Sequence, residues 1–334
     1  MGRPKKKKDS AAPKSEQDVI LATIENMGAQ VMNSIDELAA KNQLSTGLWG
    51  LDYGLGGKGI PSISVVELHG PNGVGKTSLA LHLTNQAVQQ GMNVYYVDTE
   101  FAVNDDMSGI FVGQNDVKWI QPESGEKALD IIKFILKETT NSFIVLDSIG
   151  GTQPSKIAEG DVGDSHVGIQ ARMFMQFGPV AACWAKKNQN ILVTVNQESA
   201  NIATGSYTLA GGKKWAYVPD IRVRLVKKFK QGDITEGGDI IGHIIEAKVT
   251  KNRFGPPMRK VEIPLIYGEG FDAERELTDN AILYGVVKKG GAWYSYEHNG
   301  EEIKRQGIGA FAEWLRETPE AKDAIFKEVS ERVS

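Results

Sequence analysis

Eight consecutive residues, Gly70-Pro71-Asn72-Gly73-Val74-Gly75-Lys76-Thr77, have the types and spacing needed to hold a chain of phosphates. Their glycines let the backbone curl with successive N–H groups pointing inward, and a helix beginning beside them adds the partial positive charge of its N-terminus. Lys76 then reaches the outer phosphates, the Thr77 hydroxyl offers an oxygen ligand to Mg²⁺, and Ser78 completes the nucleotide-binding stretch. Three further polar residues stand at the ends of apolar runs. Asp147 follows Phe143-Ile144-Val145-Leu146, as expected of an acid that holds Mg²⁺ through water. Glu100 follows Tyr95-Tyr96-Val97-Asp98-Thr99 and can orient, or take a proton from, water attacking a terminal phosphate, with Asp98 as its competitor. Gln197, after Val195-Asn196, is both donor and acceptor, so it can hydrogen-bond a terminal phosphate and move when that phosphate leaves.

These groups meet only if strands carry them to one edge, because ligands of open parallel sheets sit at the strands' carboxyl ends. The pattern supplies such strands at 64–69, 92–98, 117–120, 142–147 and 191–196, alternating with helices from Ser78, over Ser124 to Thr139 and over Ile169 to Asn188. That alternation predicts an α/β fold with a mostly parallel sheet covered on both faces. From Asp220 the strands crowd together, Ile221 to Phe229, Ile240 to Thr250 and Met258 to Ile266, as an antiparallel extension. Gly47 and Gly54-Leu55-Gly56-Gly57 read as turns.

Four segments follow: a basic arm (1–14) expected to be disordered, an N-terminal oligomerisation helix (15–42), a nucleotide-binding core (43–270) and a small C-terminal α/β domain (271–334). The helix rests on Ile20, Ile24, Met27, Val31, Ile35 and Leu38, one apolar stripe from Ser15 to Lys41 that needs a partner surface, either its own core or a neighbouring subunit. A net charge of -4 gives no global pull toward nucleic acid, so any basic surface is local. The single cysteine, Cys183, excludes an internal disulfide and is expected to be buried in an apolar helix. No apolar run is long enough for a membrane span, and a cytoplasmic location is expected.

Two polar segments suit either contact with a nucleic-acid strand or a lid over the nucleotide site. One is Glu159 to His166; the other runs from Glu198 to Gly212 and is too long and too polar for an ordinary connection. The second ends in Gly211-Gly212-Lys213-Lys214, exposed backbone beside two cations, and carries Ile202, Tyr207 and Leu209 as groups that could wedge or stack between bases.

The ordered set of motifs resembles the RecA family of bacterial recombinases from about Ser45 to the end. The residues that carry it are Gly70 to Thr77, Val97-Asp98-Thr99-Glu100, Gln121-Pro122-Glu123-Ser124-Gly125-Glu126, Val145-Leu146-Asp147-Ser148, Gly163-Asp164-Ser165-His166, Val195-Asn196-Gln197 and Gly211-Gly212. Lys251-Asn252-Arg253, Leu265-Ile266-Tyr267-Gly268-Glu269-Gly270 and Gly291-Ala292-Trp293-Tyr294-Ser295-Tyr296 continue it. The resemblance implies a RecA-like ATPase core and a homo-oligomeric helical filament on single-stranded DNA. It also implies ATP and Mg²⁺ bound between subunits, and strand exchange with double-stranded DNA. Glu100 then matches the family's catalytic glutamate, Gln197 its γ-phosphate sensor, and Lys251 and Arg253 its cations reaching a neighbour's ATP. The DNA-facing positions are Gly163, Asp164, Ser165, His166, Arg172, Ile202, Gly211, Gly212 and Lys213. The position of the family's adenine-stacking tyrosine falls on Met107, a later basic position falls on Pro179, and the second loop is short, so a divergent member of phage or otherwise unusual origin is expected. A ring-forming relative, or a DNA-coating protein with little ATP turnover, is the competing expectation.

Overall fold

The computed structural model describes residues 15–28, 31–32, 39–102, 116–155, 168–201, 206–230 and 232–333. They belong to two compact units, residues 1–39 and 40–334. In the first, helix α1 (Glu16–Asn26) opens on a capping box, Ser15 Oγ accepting from the Asp18 N–H at 3.1 Å and Asp18 Oδ2 from the Ser15 N–H at 2.9 Å. Its apolar residues Val19, Ile20, Ile24 and Met27 are exposed. The expected helix to Lys41 ends instead at Met27, because Gly28 takes φ +86°, a left-handed turn that terminates a helix. Ile35 and Leu38 lie outside the described residues, as does the basic arm.

The second unit begins with an antiparallel pair, β1 (Gln43–Leu44) and β2 (Ile60–Pro61), flanking helix α2 (Trp49–Leu55). Part of the expected glycine turn is therefore helical. Gly54 lies inside α2, with Val261 close against it, and Gly56 at φ +116° ends the helix. The main sheet contains β3 (Val65–Gly70), β4 (Asn93–Asp98), β5 (Val117–Ile120), β6 (Ser142–Asp147), β7 (Ile191–Asn201), β9 (Ile221–Lys227), β11 (Asp239–Asn252), β12 (Lys260–Ile266) and β13 (Gly270–Phe271). Its order is β13-β12-β11-β9-β3-β7-β6-β4-β5, parallel from β9 to β5 and antiparallel from β11 outward, while β8 (Ser206–Leu209) pairs with β7 and β10 (Asp233–Glu236) with β11.

Helix α3 (Lys76–Gln89) covers one face, where Leu79, Leu81 and Leu83 meet Val66, Leu68, Val145 and Val193. Helices α4 (Gly125–Glu138) and α5 (Ile169–Lys187) cover the other, packing Ile132, Leu136, Phe174 and Phe177 on Val65, Ile144 and Leu192. Each buried branched side chain contributes on the order of 1.5–3 kcal/mol, which holds strands rigid enough to aim polar groups. Cys183 is exposed, contrary to expectation: α5 buries Phe174, Phe177, Gly178, Ala181 and Ala185, and its 3.6-residue turn puts Cys183 on the other side.

Beyond α6 (Gly212–Trp215), the chain ends in α7 (Ala273–Leu283), a three-stranded sheet of β14 (Lys288–Gly290), β15 (Trp293–His298) and β16 (Glu301–Gln306), and helices α8 (Ile308–Glu317) and α9 (Pro319–Val333). Their own core, with Leu277, Phe311, Leu315 and Ile325, takes in Trp49 from α2. The buried Glu276 carboxylate accepts from the Gly50 N–H at 2.5 Å, satisfying a donor at the start of α2. This is the α/β fold with a small C-terminal α/β part that the sequence predicts.

A nucleotide cleft at the strand ends

Strand β3 delivers Gly70 to a place without room for a side chain, since a Cβ there collides with the Leu225 carbonyl. Gly75, the N-cap of α3, sits at φ +94°, and a Cβ would lie 2.9 Å from Leu265 Cδ2. The loop can take its curl only with glycine at these points. Pro71 and Val74 act from behind. The Pro71 carbonyl accepts from Lys76 Nζ at 2.6 Å, and Val74 is buried. Burial lowers the Lys76 pKa, partly offset by the carboxylates of Asp147, Glu100 and Glu198.

Asp147 ends β6, buried, and accepts from the Tyr96 hydroxyl at 2.7 Å and from the Thr77 side chain. Burial pushes its pKa up to about 6 despite both hydrogen bonds. A hydroxyl and a carboxylate side by side form the hard-oxygen donor set Mg²⁺ takes when phosphates and water supply the remaining ligands. Asp98 is committed elsewhere: its Oδ1 accepts the N–H groups of Glu100 (3.1 Å) and Ala102 (3.3 Å). Glu100 is exposed, held by the Ser148 hydroxyl, across a peptide bond, Asp147–Ser148, that is cis.

A cleft of about 320 Å³ gathers Asn72, Gly73, Gly75, Lys76, Thr77, Ser78, Glu100, Asp147 and Gln197, and adds Ser148, His243, Leu265 and Tyr267. Parallel register explains the convergence, since Gly70 pairs with Gln197, and Asp98 with Asp147. Met107 lies outside the described residues. Lys251 and Arg253 are not at this cleft. Lys251 Nζ donates to the Tyr217 carbonyl at 2.9 Å, and Arg253 to Asp220 Oδ1 at 2.8 Å. Lys251 is eight residues along β11 from the cleft residue His243, about 26 Å at the usual strand rise.

The segment from Glu198 is largely a hairpin rather than an irregular loop. β7 continues to Asn201 and β8 returns antiparallel, Glu198 opposite Leu209 and Ala200 opposite Tyr207. Backbone pairing satisfies the amides and carbonyls of the two strands, and Tyr207 and Thr208 keep their side chains exposed. Gly211 and Gly212, at φ +84° and +78°, turn the chain into α6, and a Cβ on Gly212 would lie 2.7 Å from Ala171 Cβ. Lys213 and Arg172 follow these two residues in sequence, and both are exposed. Ile202, Gly163, Asp164, Ser165 and His166 lie outside the described residues.

Sequence reading missed two buried ionic clusters under the hairpin. Glu67 accepts from Arg222 Nε at 2.5 Å, and from Trp215 Nε1 and Asn196 Nδ2, both at 2.9 Å. Glu198 accepts from Arg224 Nε (2.7 Å) and Nη2 (2.8 Å), with His69 Nδ1 at 3.0 Å, and Arg224 and His69 hold its pKa below the usual range against its burial. A signal existed: Glu67 and His69, Asn196 and Glu198, and Arg222 and Arg224 are polar pairs spaced by two in apolar strands, hence on one face.

A strand-to-helix phosphate loop, an acid at the end of β6, one strand removed from β3 in the sheet, and parallel pairing between them define a nucleotide-binding protein of the phosphate-loop α/β class. Family comparison is specific: the RecA N-terminal domain matches residues 16–272 and the RecA C-terminal domain residues 275–334. Protein RecA of Pseudomonas savastanoi pv. phaseolicola is 34% identical over 294 residues, covering 87% of this chain and 81% of that protein. Protein RecA of Rubrobacter xylanophilus is 32% identical over 329 residues, covering 97% and 92%. A crystal structure of the RadB recombinase superimposes with a TM-score of 0.52 at 21% identity, covering 69% of this chain and 98% of that one, a likeness of fold. The chain belongs to the RecA family and is a RecA-type recombinase. No helix among the described residues is long and apolar enough to cross a membrane.

Proposed function

We propose that this protein assembles as a helical filament on single-stranded DNA, hydrolyses ATP in response to that DNA, and pairs and exchanges the bound strand with homologous duplex. The observation that carries the reading is the meeting of Lys76, Thr77, Asp147, Glu100 and Gln197 in one cleft. Lys76 and the loop N–H groups hold the phosphates, Glu100 orients or deprotonates the attacking water, and Gln197 reports the terminal phosphate. Thr77 and Asp147 would hold Mg²⁺, which would supply positive charge beside the phosphates.

Assembly follows from what one copy lacks. Lys251 and Arg253 lie too far from the cleft of their own chain to touch its nucleotide, which supports their serving a neighbour's, where charge supplied across a seam couples turnover to polymerisation. Uncovered apolar surface supports the same reading: Phe134 and Val180 line an open groove of about 630 Å³ between α4 and α5. Arg172 and Lys213 with the hairpin, and the segment 159–166, are the DNA-facing groups. ATP hydrolysis measured with and without single-stranded DNA, with negative-stain images of the same mixtures, tests the proposal. DNA-stimulated turnover with filaments is expected; isolated particles with unstimulated turnover overturn it.

A further inference from the structure

Strand β7 serves both sides of the sheet with successive residues. Val195 and Gln197 line the nucleotide cleft, whereas Asn196 and Glu198 project from the opposite face. Those two hold the feet of the hairpin. Asn196 exchanges hydrogen bonds with Ala210, Nδ2 to the carbonyl at 3.1 Å and Oδ1 from the N–H at 3.2 Å, fixing the returning strand. Glu198 fixes the outgoing one through Arg224, whose guanidinium lies 4.8 Å from the centroid of the Tyr207 ring on β8.

The same carboxylate meets His69, the residue before Gly70. Glu198 thus touches the strand that opens the phosphate loop and adjoins the residue proposed to sense the phosphate, while its other partner stacks on the hairpin. A displacement of Gln197 toward a phosphate moves the peptide it shares with Glu198. The bidentate Arg224 pair is directional, because its two hydrogen bonds require a shared planar geometry, so a shift of the Glu198 carboxylate is felt at Arg224. Side-chain types agree with this use: Glu198 and His69 are buried, and Tyr207 and Arg224 reach solvent at the hairpin.

We infer that Glu198 is a positioning residue that links the nucleotide cleft to the hairpin, acting through Arg224 and Tyr207 so that ATP changes the affinity for DNA. The inference rests on the proposed function and deepens it. Its measure is the factor by which ATP alters the Kd of the full-length protein for an oligothymidylate, read by fluorescence anisotropy, alongside DNA-stimulated hydrolysis. Glu198→Gln and Arg224→Gln are each expected to shrink that factor about tenfold, and the double variant no further. A plain structural brace weakens DNA binding equally with and without ATP, leaving the factor as in the wild type, and that result overturns the inference. So does additive loss in the double variant. If Glu198→Gln fails to fold, Arg224→Gln with Tyr207→Leu completes the same cycle at the more exposed end. A wild-type protein whose DNA affinity ignores ATP sinks the proposed function and this inference together; an ATP-responsive wild type matched by its variants sinks the inference alone.

Discussion

The Tyr96 hydroxyl donates to the Asp147 carboxylate at 2.7 Å, joining the adjacent strands β4 and β6 beneath the phosphate loop. Tyr96 is fully buried, and its own ionisation is pushed well up by burial and by Asp147, so it acts as a fixed donor. It stabilises the carboxylate and sets its direction. Tyr96→Phe is expected to weaken Mg²⁺ activation about tenfold, the usual scale for a group that orients a metal ligand. Nucleotide binding titrated with Mg²⁺ measures it. An unchanged midpoint removes Tyr96 from the site.

Lys76→Ala is expected to abolish nucleotide binding, whereas Glu100→Gln keeps ATP-dependent DNA binding and loses at least about 10²-fold in hydrolysis. The contrast separates holding phosphates from activating water. Asp98→Asn serves as the control: its carboxylate caps the turn that presents Glu100, so it affects both functions through that turn. Hydrolysis intact in Glu100→Gln reassigns the base.

If Lys251 and Arg253 act on a neighbour's nucleotide, defects in donor and acceptor can complement. Arg253→Ala and Glu100→Gln are each expected to lower turnover, the former by about 10³-fold as for other cations supplied in trans. Mixed in equal amounts on DNA, they should regain activity where an Arg253→Ala copy receives the arginine of a Glu100→Gln copy. Turnover of the mixture equal to the mean of the two alone contradicts action across the seam.

Burial pushes the Glu276 pKa up to about 8 from 4.5, although it accepts the Gly50 N–H. A raised value in the folded state means that the protonated form is favoured by folding. Its stabilisation is complete below the unfolded value near 4.5, declines above it and is lost as pH rises through about 8. Unfolding midpoints are expected to fall across this window by an amount on the order of a few kcal/mol in free energy, and Glu276→Gln to flatten the dependence. Parallel pH profiles for wild type and variant exclude Glu276 as the source.

The alternation of strand and helix was readable from Val65 to Asn196 because buried parallel strands are predominantly apolar and their helices amphipathic. Boundaries failed where one residue's conformation decides them. Gly28 stops α1, Gly54 is drawn into α2, and Cys183 faces outward on a helix whose composition alone reads as buried. The hairpin was hidden for another reason: the alternation in Ser199-Ala200-Asn201-Ile202 and Ser206-Tyr207-Thr208-Leu209 is short and mostly of small or polar residues, so it reads as a loop, and backbone pairing leaves no trace in composition.

By itself the sequence determined the phosphate loop, its lysine and hydroxyl, and the acids at strand ends, since local spacing and strand polarity suffice to place them at one edge. Tertiary structure showed what each acid touches, with Asp98 accepting from a turn while Glu100, held by Ser148, lines the cleft. It also brought Glu198 to Arg224 and Glu67 to Arg222, residues 26 and 155 positions apart. Such pairings depend on strand order and on which face a side chain takes, and neither quantity is local.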